Sequence, residues 1–245
     1  MALCSDAAMI LYFDITGDNV DHDDWHTYEH MHERLSIPGF VRASRWIATT
    51  GAPKYLVVYE VTGTDMATSP AYLERLNHPT SWTSAMMGRF RGMVRGFCSV
   101  VAGSGFGFGS AAVSLRFTPA AGREGELTDW LAQTALPAMA SRRGMAGVHL
   151  LRPAPPPPMT KEQALRGPDT PMSWLLLATA YDARALGQAV AEHLAPVALE
   201  QHGALPAMIT GSYLLHYTVT AQEVGRAAPH PTLSPQQRQQ TGVRR

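Results

Sequence analysis

The 245-residue chain is 45% apolar and 16% charged, with 20 basic side chains against 20 acidic ones and no basic block, which argues against a nucleic-acid partner held by phosphate neutralisation. Two cysteines, Cys4 and Cys98, are too few for a disulfide framework or a cysteine-based zinc site. No run of about 18 apolar residues offers a membrane span, and the start of the chain, with Asp6 before any long apolar stretch, does not read as a signal peptide, so a cytoplasmic protein is expected.

Residues 8–15 (AMILYFDI) form a first β-rich run. Residues 21–35 (DHDDWHTYEHMHERL) lack Gly and Pro and open with aspartates suited to a helix N-terminus, and Pro38-Gly39 ends the helix. Residues 40–49 and 54–61 read as strands around a Gly51-Ala52-Pro53 turn. Residues 69–76 and 81–90 read as a helix broken near Pro79, and 93–102 as a fourth strand. The order βαββαβ is the ferredoxin-like one. The glycine-rich link from Gly103 to Gly109 lacks the Gly-Lys-Ser/Thr ending and the following helix that a phosphate cradle requires. It reads as a flexible joint or a twisted strand edge.

The same order then returns: a strand at 112–117, a helix at 124–141, strands at 147–152 and 174–180, a long helix at 183–202 and a last strand at 209–220. Asp24-Trp25 and Asp129-Trp130 are 105 positions apart, as are Gly39 and Gly144, so the first helix and its exit turn keep their spacing. An insertion at 152–173, with Pro153 and Pro155 to Pro158, reads as an extended surface hairpin arm outside the core. The chain therefore divides into residues 1–103, the first half with the candidate site; 104–110, the link; 111–222, a second, degenerate half; and 223–245, a tail. The Pro, Gln and Arg content of the tail from Ala227 onward predicts disorder. The fold class is α+β: two tandem ferredoxin-like units forming an intramolecular dimeric α/β barrel, the two sheets facing each other so that each covers the other's open face. Further self-association into a homo-oligomer is left open.

Residues 24–40 (DWHTYEHMHERLSIPGF), followed by residues 55–60, 69–72 and the run NHPTSW at 77–82, resemble the EthD-like branch of the dimeric α/β-barrel superfamily. In that branch a Trp-containing first helix carries a histidine and ends at Pro-Gly plus an apolar residue. His30 matches that histidine, and Ala135 stands at the corresponding place in the second half. The resemblance covers residues 8–101 and implies the fold. For function it implies a range: isomerases, dehydratases, decarboxylases, cofactor-independent oxygenases and haem-binding enzymes.

On a helical wheel of about 100° per residue, Trp25, Tyr28, Met31, His32 and Leu35 share the side expected to face the sheet. His26, Glu29, His30 and Glu33 form a polar stripe on another side. Such a stripe is commonly a solvated face. It also offers an imidazole beside an orienting carboxylate, the pair that acid–base chemistry uses. At the 105-residue offset it becomes Leu131, Thr134, Ala135 and Ala138, so the helix forms without these polar groups. The segment from His26 to His30 also matches the zinc pattern H-x-x-E-H. Nothing downstream marks a third ligand, so neither a metal nor an organic cofactor is assigned; haem on one of the histidines is a rival reading.

The candidate catalytic residues are His30 as acid or base, with Glu29 and His26 orienting it. Trp25, Tyr28 and Trp82 are expected as apolar walls, His32 as a core histidine or a pocket residue, and Arg89 as a carboxylate binder or a partner of a helix end. The expected activity is of the lyase or isomerase type on a small aromatic or polyketide-like substrate. An oxygenase and a non-catalytic binding protein are the alternatives.

Overall fold

The computed structural model describes residues 3–226. The first half runs β1 (Ala7–Ile15), α1, β2 (Phe40–Thr50), β3 (Tyr55–Val61), α2 (Pro70–Asn77), α3 (Ser81–Met87) and β4 (Phe90–Gly105). Helix α1 has three successive segments, Asn19–Trp25, His26–His30 and Met31–Leu35. The second half runs β5 (Ala111–Phe117), α4 (Glu124–Trp130, Leu131–Ala135 and Leu136–Ala140) and β6 (Met145–Pro153). There follow α5 (Lys161–Arg166), β7 (Thr170–Pro171), β8 (Trp174–Ala180), α6 (Ala183–His193), α7 (Pro196–Gln201), β9 (Ile209–Thr220) and α8 (Ala221–Arg226).

Side-chain caps start several of these helices. Asp18 accepts from the Val20 N–H, Ser69 from Tyr72 with Pro70 preset in the first turn, and Asp182 from Arg184 and Ala185. Residues 183–202 form two helices rather than the single one expected. Pro196 has no N–H to continue the first and opens the second instead. The expected tail at 223–245 begins inside α8; residues 227–245 lie outside the described residues.

The strands close into an eight-stranded barrel in the order β1-β3-β2-β9-β5-β8-β6-β4, with β4 pairing back onto β1. The expected α/β barrel forms, and its two sheets, expected to face each other, are in addition joined at both edges into one closed sheet. Within the first half the edge strands are β2 and β4, and within the second they are β6 and β9. An open edge carries unpaired N–H and C=O groups. Here β2 pairs with β9 from Arg42↔Thr220 to Thr50↔Ser212, and β4 with β6 from Cys98↔Pro153 to Gly105↔Gly147. The start of the glycine-rich link thus belongs to a strand. Gly105 has φ +87° and lies against the backbone of Ala146, where a Cβ would not fit.

Alternation along the strands sorts side chains into layers. Tyr12, Trp46, Leu56, Leu175, Leu177 and Tyr213 fill the barrel interior. Met9, Phe13, Val57 and Tyr59 point outward beneath α1, α2 and α3. Val113, Leu115, Val148 and Leu176 do the same beneath the helices of the second half. Among the described residues no helix is long and apolar enough to cross a membrane.

The insertion between β6 and β8 is not a surface arm. Ala154 N–H donates to Phe97 O at 2.8 Å, β7 pairs in parallel with Val94 and Arg95, and α5 packs on α2 and α3. Met172 is buried over Gly96, where an added Cβ would come within 2.5 Å of the Met172 Cβ. The prolines from 155 to 158 carry no helix or strand, but the residues after them are fastened to the first half. Those partners are distant in sequence, so local composition held no sign of them.

Candidate functional site

The middle of α1 widens. Met31 N–H donates to His26 O, five residues back, which makes a π-type turn with one residue more than a regular turn holds. Helix α4 does the same, with Leu136 N–H on Leu131 O. Across a wide turn the inward row advances every fourth residue, and His22, His26, His30 and Arg34 are all buried along it. A regular wheel turns His26 and His30 outward. The structure turns them toward the sheet, so the solvated stripe is corrected.

Ring centroids along this column are 5.4 Å apart for His22 and His26 and 5.7 Å for His26 and His30. Trp25 packs beside it, 4.3 Å from the His30 ring, and its indole N–H donates to Thr83 Oγ1 at 3.2 Å. At the equivalent places α4 presents Leu131 and Ala135, which are also buried. These are core positions, and only the first half fills them with imidazole.

Between the column and the sheet lies a cavity of about 20 Å³, enough for one water molecule. Its wall includes His26, His30, Arg34, Tyr59, Glu162 and Arg166, over an apolar floor that includes Met9, Phe13, Val57 and Met93. His26 Nε2 and the Tyr59 hydroxyl are 3.0 Å apart. The Nδ1 atoms of His26 and His30 are buried with no hydrogen-bond partner among the described residues, and the Glu33 carboxylate stands 4.0 Å from His30 Nδ1. Burial, then nearby guanidinium charge from Arg45 at His26 and from Arg34 and Arg166 at His30, holds both imidazoles well below their ordinary pKa. Both are neutral at pH 7. Burial likewise pushes the Tyr59 phenol up.

The docked insertion roofs this cavity. Arg34 Nη2 meets Glu162 at 2.5 Å, Arg95 Nε meets Asp169 at 2.9 Å, and Arg166 Nη2 spans both Asp169 oxygens at 2.8 and 3.0 Å. Arg95 also donates to the Gln163 side chain at 3.2 Å.

The other residues singled out from the sequence lie off the cavity. Glu29 accepts from the Thr80 and Thr83 hydroxyls at 2.6 and 3.3 Å, which braces α1 against α3 instead of orienting a histidine. With Glu29 so engaged, the H-x-x-E-H residues do not converge, and no group of three or more His, Cys, Asp or Glu among the described residues is placed to hold a metal. Tyr28 is 50% exposed. His32 is half-buried rather than core, and Trp82 packs half-buried on the outer side of the first core. Arg89 bonds Thr16 O, Asp18 O and, at 2.7 Å, Asp21, clasping the entry to α1.

Sequence reasoning missed His22, Arg34, Tyr59, Glu162 and Arg166. The four-residue spacing of His22, His26, His30 and Arg34 was the available signal; Glu162 and Arg166 had none.

No family model and no curated protein matches the chain. Solved structures do share its fold. An anthrone oxidase-like protein superposes with a TM-score of 0.65 at 11% identity, over 93% of this chain and 99% of that one. A candidate monooxygenase from Fusobacterium nucleatum gives 0.58 at 8% identity, over 89% and 95%. Another from Lactobacillus acidophilus gives 0.57 at 10% identity, over 88% and 96%. At these identities the likeness establishes the fold alone, a dimeric α/β barrel formed by the described residues.

Proposed function

We propose that the first half is a small-molecule enzyme site that binds an aromatic or polyketide-like compound beneath α1 and removes a proton from it, with His30 as the base. The observation that carries this reading is the pair of buried, neutral imidazoles on one cavity, at positions where the second half has Leu131 and Ala135. A neutral imidazole can accept a proton, and the Glu33 carboxylate at 4.0 Å favours the cation that results. His26, tied to Tyr59, holds the neighbouring wall. Trp25 supports the His30 ring from behind. Reprotonation of the substrate elsewhere gives an isomer, and loss of a leaving group gives a lyase product. The likeness of residues 24–40 to the EthD-like branch supports the same reading, with two copies of the unit in one chain.

A second outcome is favoured by the name of one structural neighbour, an anthrone oxidase-like protein. A ring methylene that has lost a proton to His30 can pass its electron pair to dioxygen. Loss of water then leaves a ketone, so CH₂ and O₂ become C=O and H₂O.

Anthrone in deuterated buffer tests the shared step. The protein should speed exchange of the methylene hydrogens by at least about 10²-fold, within the usual worth of a positioned base, and His30→Leu should abolish the gain. Exchange no faster than in buffer overturns the reading. Dioxygen uptake alongside exchange selects the oxygenase outcome.

A further inference from the structure

Among the described residues at the roof of the cavity, guanidinium groups outnumber carboxylates. Arg34, Arg95 and Arg166 line the cavity with Glu162, and Asp169 bridges Arg95 and Arg166. All five side chains are at most 7% exposed. Three guanidinium groups thus stand against two carboxylates in a space that little water reaches. Of the other polar groups, His26 and His30 are neutral and Tyr59 is a phenol; the nearest further carboxylate, Glu33, stands 4.0 Å from His30, is paired with Arg75 at 3.4 Å and is not among the residues that line the cavity. A buried, uncompensated charge is costly, by several kcal/mol in general.

A second observation concerns Arg34. Its Nη2 meets Glu162, but its Nη1, equally buried, has no hydrogen-bond partner among the described residues. A guanidinium fork presents donors in the plane that a carboxylate accepts. The apolar floor of the same cavity, with Phe90 and Met93, suits a flat ring.

We propose that the ligand of this cavity is an aromatic carboxylic acid, its carboxylate received by Arg34 Nη1 and balanced by Arg166, its ring lying over the floor beneath His30. This rests on the functional reading above and narrows its substrate class. A carboxylate at this place also counters the two guanidinium groups that depress His30, so the bound acid makes the imidazole a better base. Because the cavity holds about one water, the ring enters only when α5 and its flanks lift.

Calorimetric titration of the full chain with 2-naphthoate and with its neutral isostere 2-acetonaphthone tests the inference. Naphthoate should bind at least tenfold more tightly than the ketone. Arg166→Gln should erase most of that preference. Arg34→Gln should do the same if it folds, and Arg166→Gln decides the matter if it does not. Equal affinity for the two ligands, or a preference unchanged in Arg166→Gln, overturns the carboxylate assignment and leaves a neutral-ligand site standing. Binding of neither ligand overturns both the assignment and the small-molecule reading beneath it.

Discussion

Arg34 on the first helix and Glu162 in the proline-rich insertion are 128 positions apart and meet at 2.5 Å, both buried. Their ion pair ties the histidine helix to the segment that roofs it. Removing one partner of a buried pair strands the other charge, which generally costs about 3–5 kcal/mol.

That fastening makes the insertion a protected element. Backbone amides from Thr160 to Met172 should exchange slowly, and Asp169→Asn should speed their exchange by at least tenfold while amides in β5 and β8 stay protected. Asp169 is the suitable site because it holds both Arg95 and Arg166. Gly96→Ala should act similarly through the Met172 contact, at about 1–3 kcal/mol for an overpacked site. Hydrogen exchange read by mass spectrometry checks both variants. Fast exchange of the insertion in the unaltered protein would contradict the docked roof.

His30→Leu should leave the protein as stable as before or raise its stability by about 1 kcal/mol at pH 7.5. The change removes a buried nitrogen that has no partner, and the matching helix in the second half is apolar there. Proton abstraction should vanish in the same variant. Urea denaturation measures the first effect, and a loss above about 2 kcal/mol would show that the imidazole is a structural requirement.

Tyr59→Phe should be costly instead. It strips His26 of the partner on Nε2 while Nδ1 already lacks one. A buried group left unsatisfied costs about 1–3 kcal/mol, measurable as a drop in the urea midpoint. An unchanged midpoint would mean that the Tyr59–His26 bond contributes nothing net.

Acid should unfold the protein through its buried histidines. Burial lowers His149 to about 4, and it is 1% exposed and accepts the Leu3 N–H at 3.3 Å. The unfolded chain binds the proton near pH 6.5 and the folded one only near 4. The stability this neutral imidazole contributes is therefore complete above about pH 6.5 and is lost as pH falls toward 4, by about 3 kcal/mol at 1.36 kcal/mol per unit. His26 and His30 add in the same direction. Urea midpoints at pH 7.5, 6 and 5 should decline, and less steeply in His149→Gln. A flat profile would contradict neutral burial.

Much of the fold was legible in short stretches. Residues 174–180 and 209–220 are strands at the expected bounds, because β-branched, aromatic and leucine runs between turn residues report local preference directly. The inward face of α1 was misread because its wheel assumed regular turns, and one extra residue in the His26–His30 turn reassigns every side chain after it. Glu162 and Asp169 were invisible for another reason. Their meaning lies in Arg34 and Arg95, across the fold, and a carboxylate beside prolines looks the same whether its partner is water or a buried guanidinium.

The two seams, β2 with β9 and β4 with β6, have a mechanical consequence. Each half lends both of its outer strands to the other, so neither can come away without breaking two ladders at once. The barrel behaves as a hoop with no loose end. Loosening at one seam loads the other, and the chain should melt in a single step even though its topology falls into two equal parts.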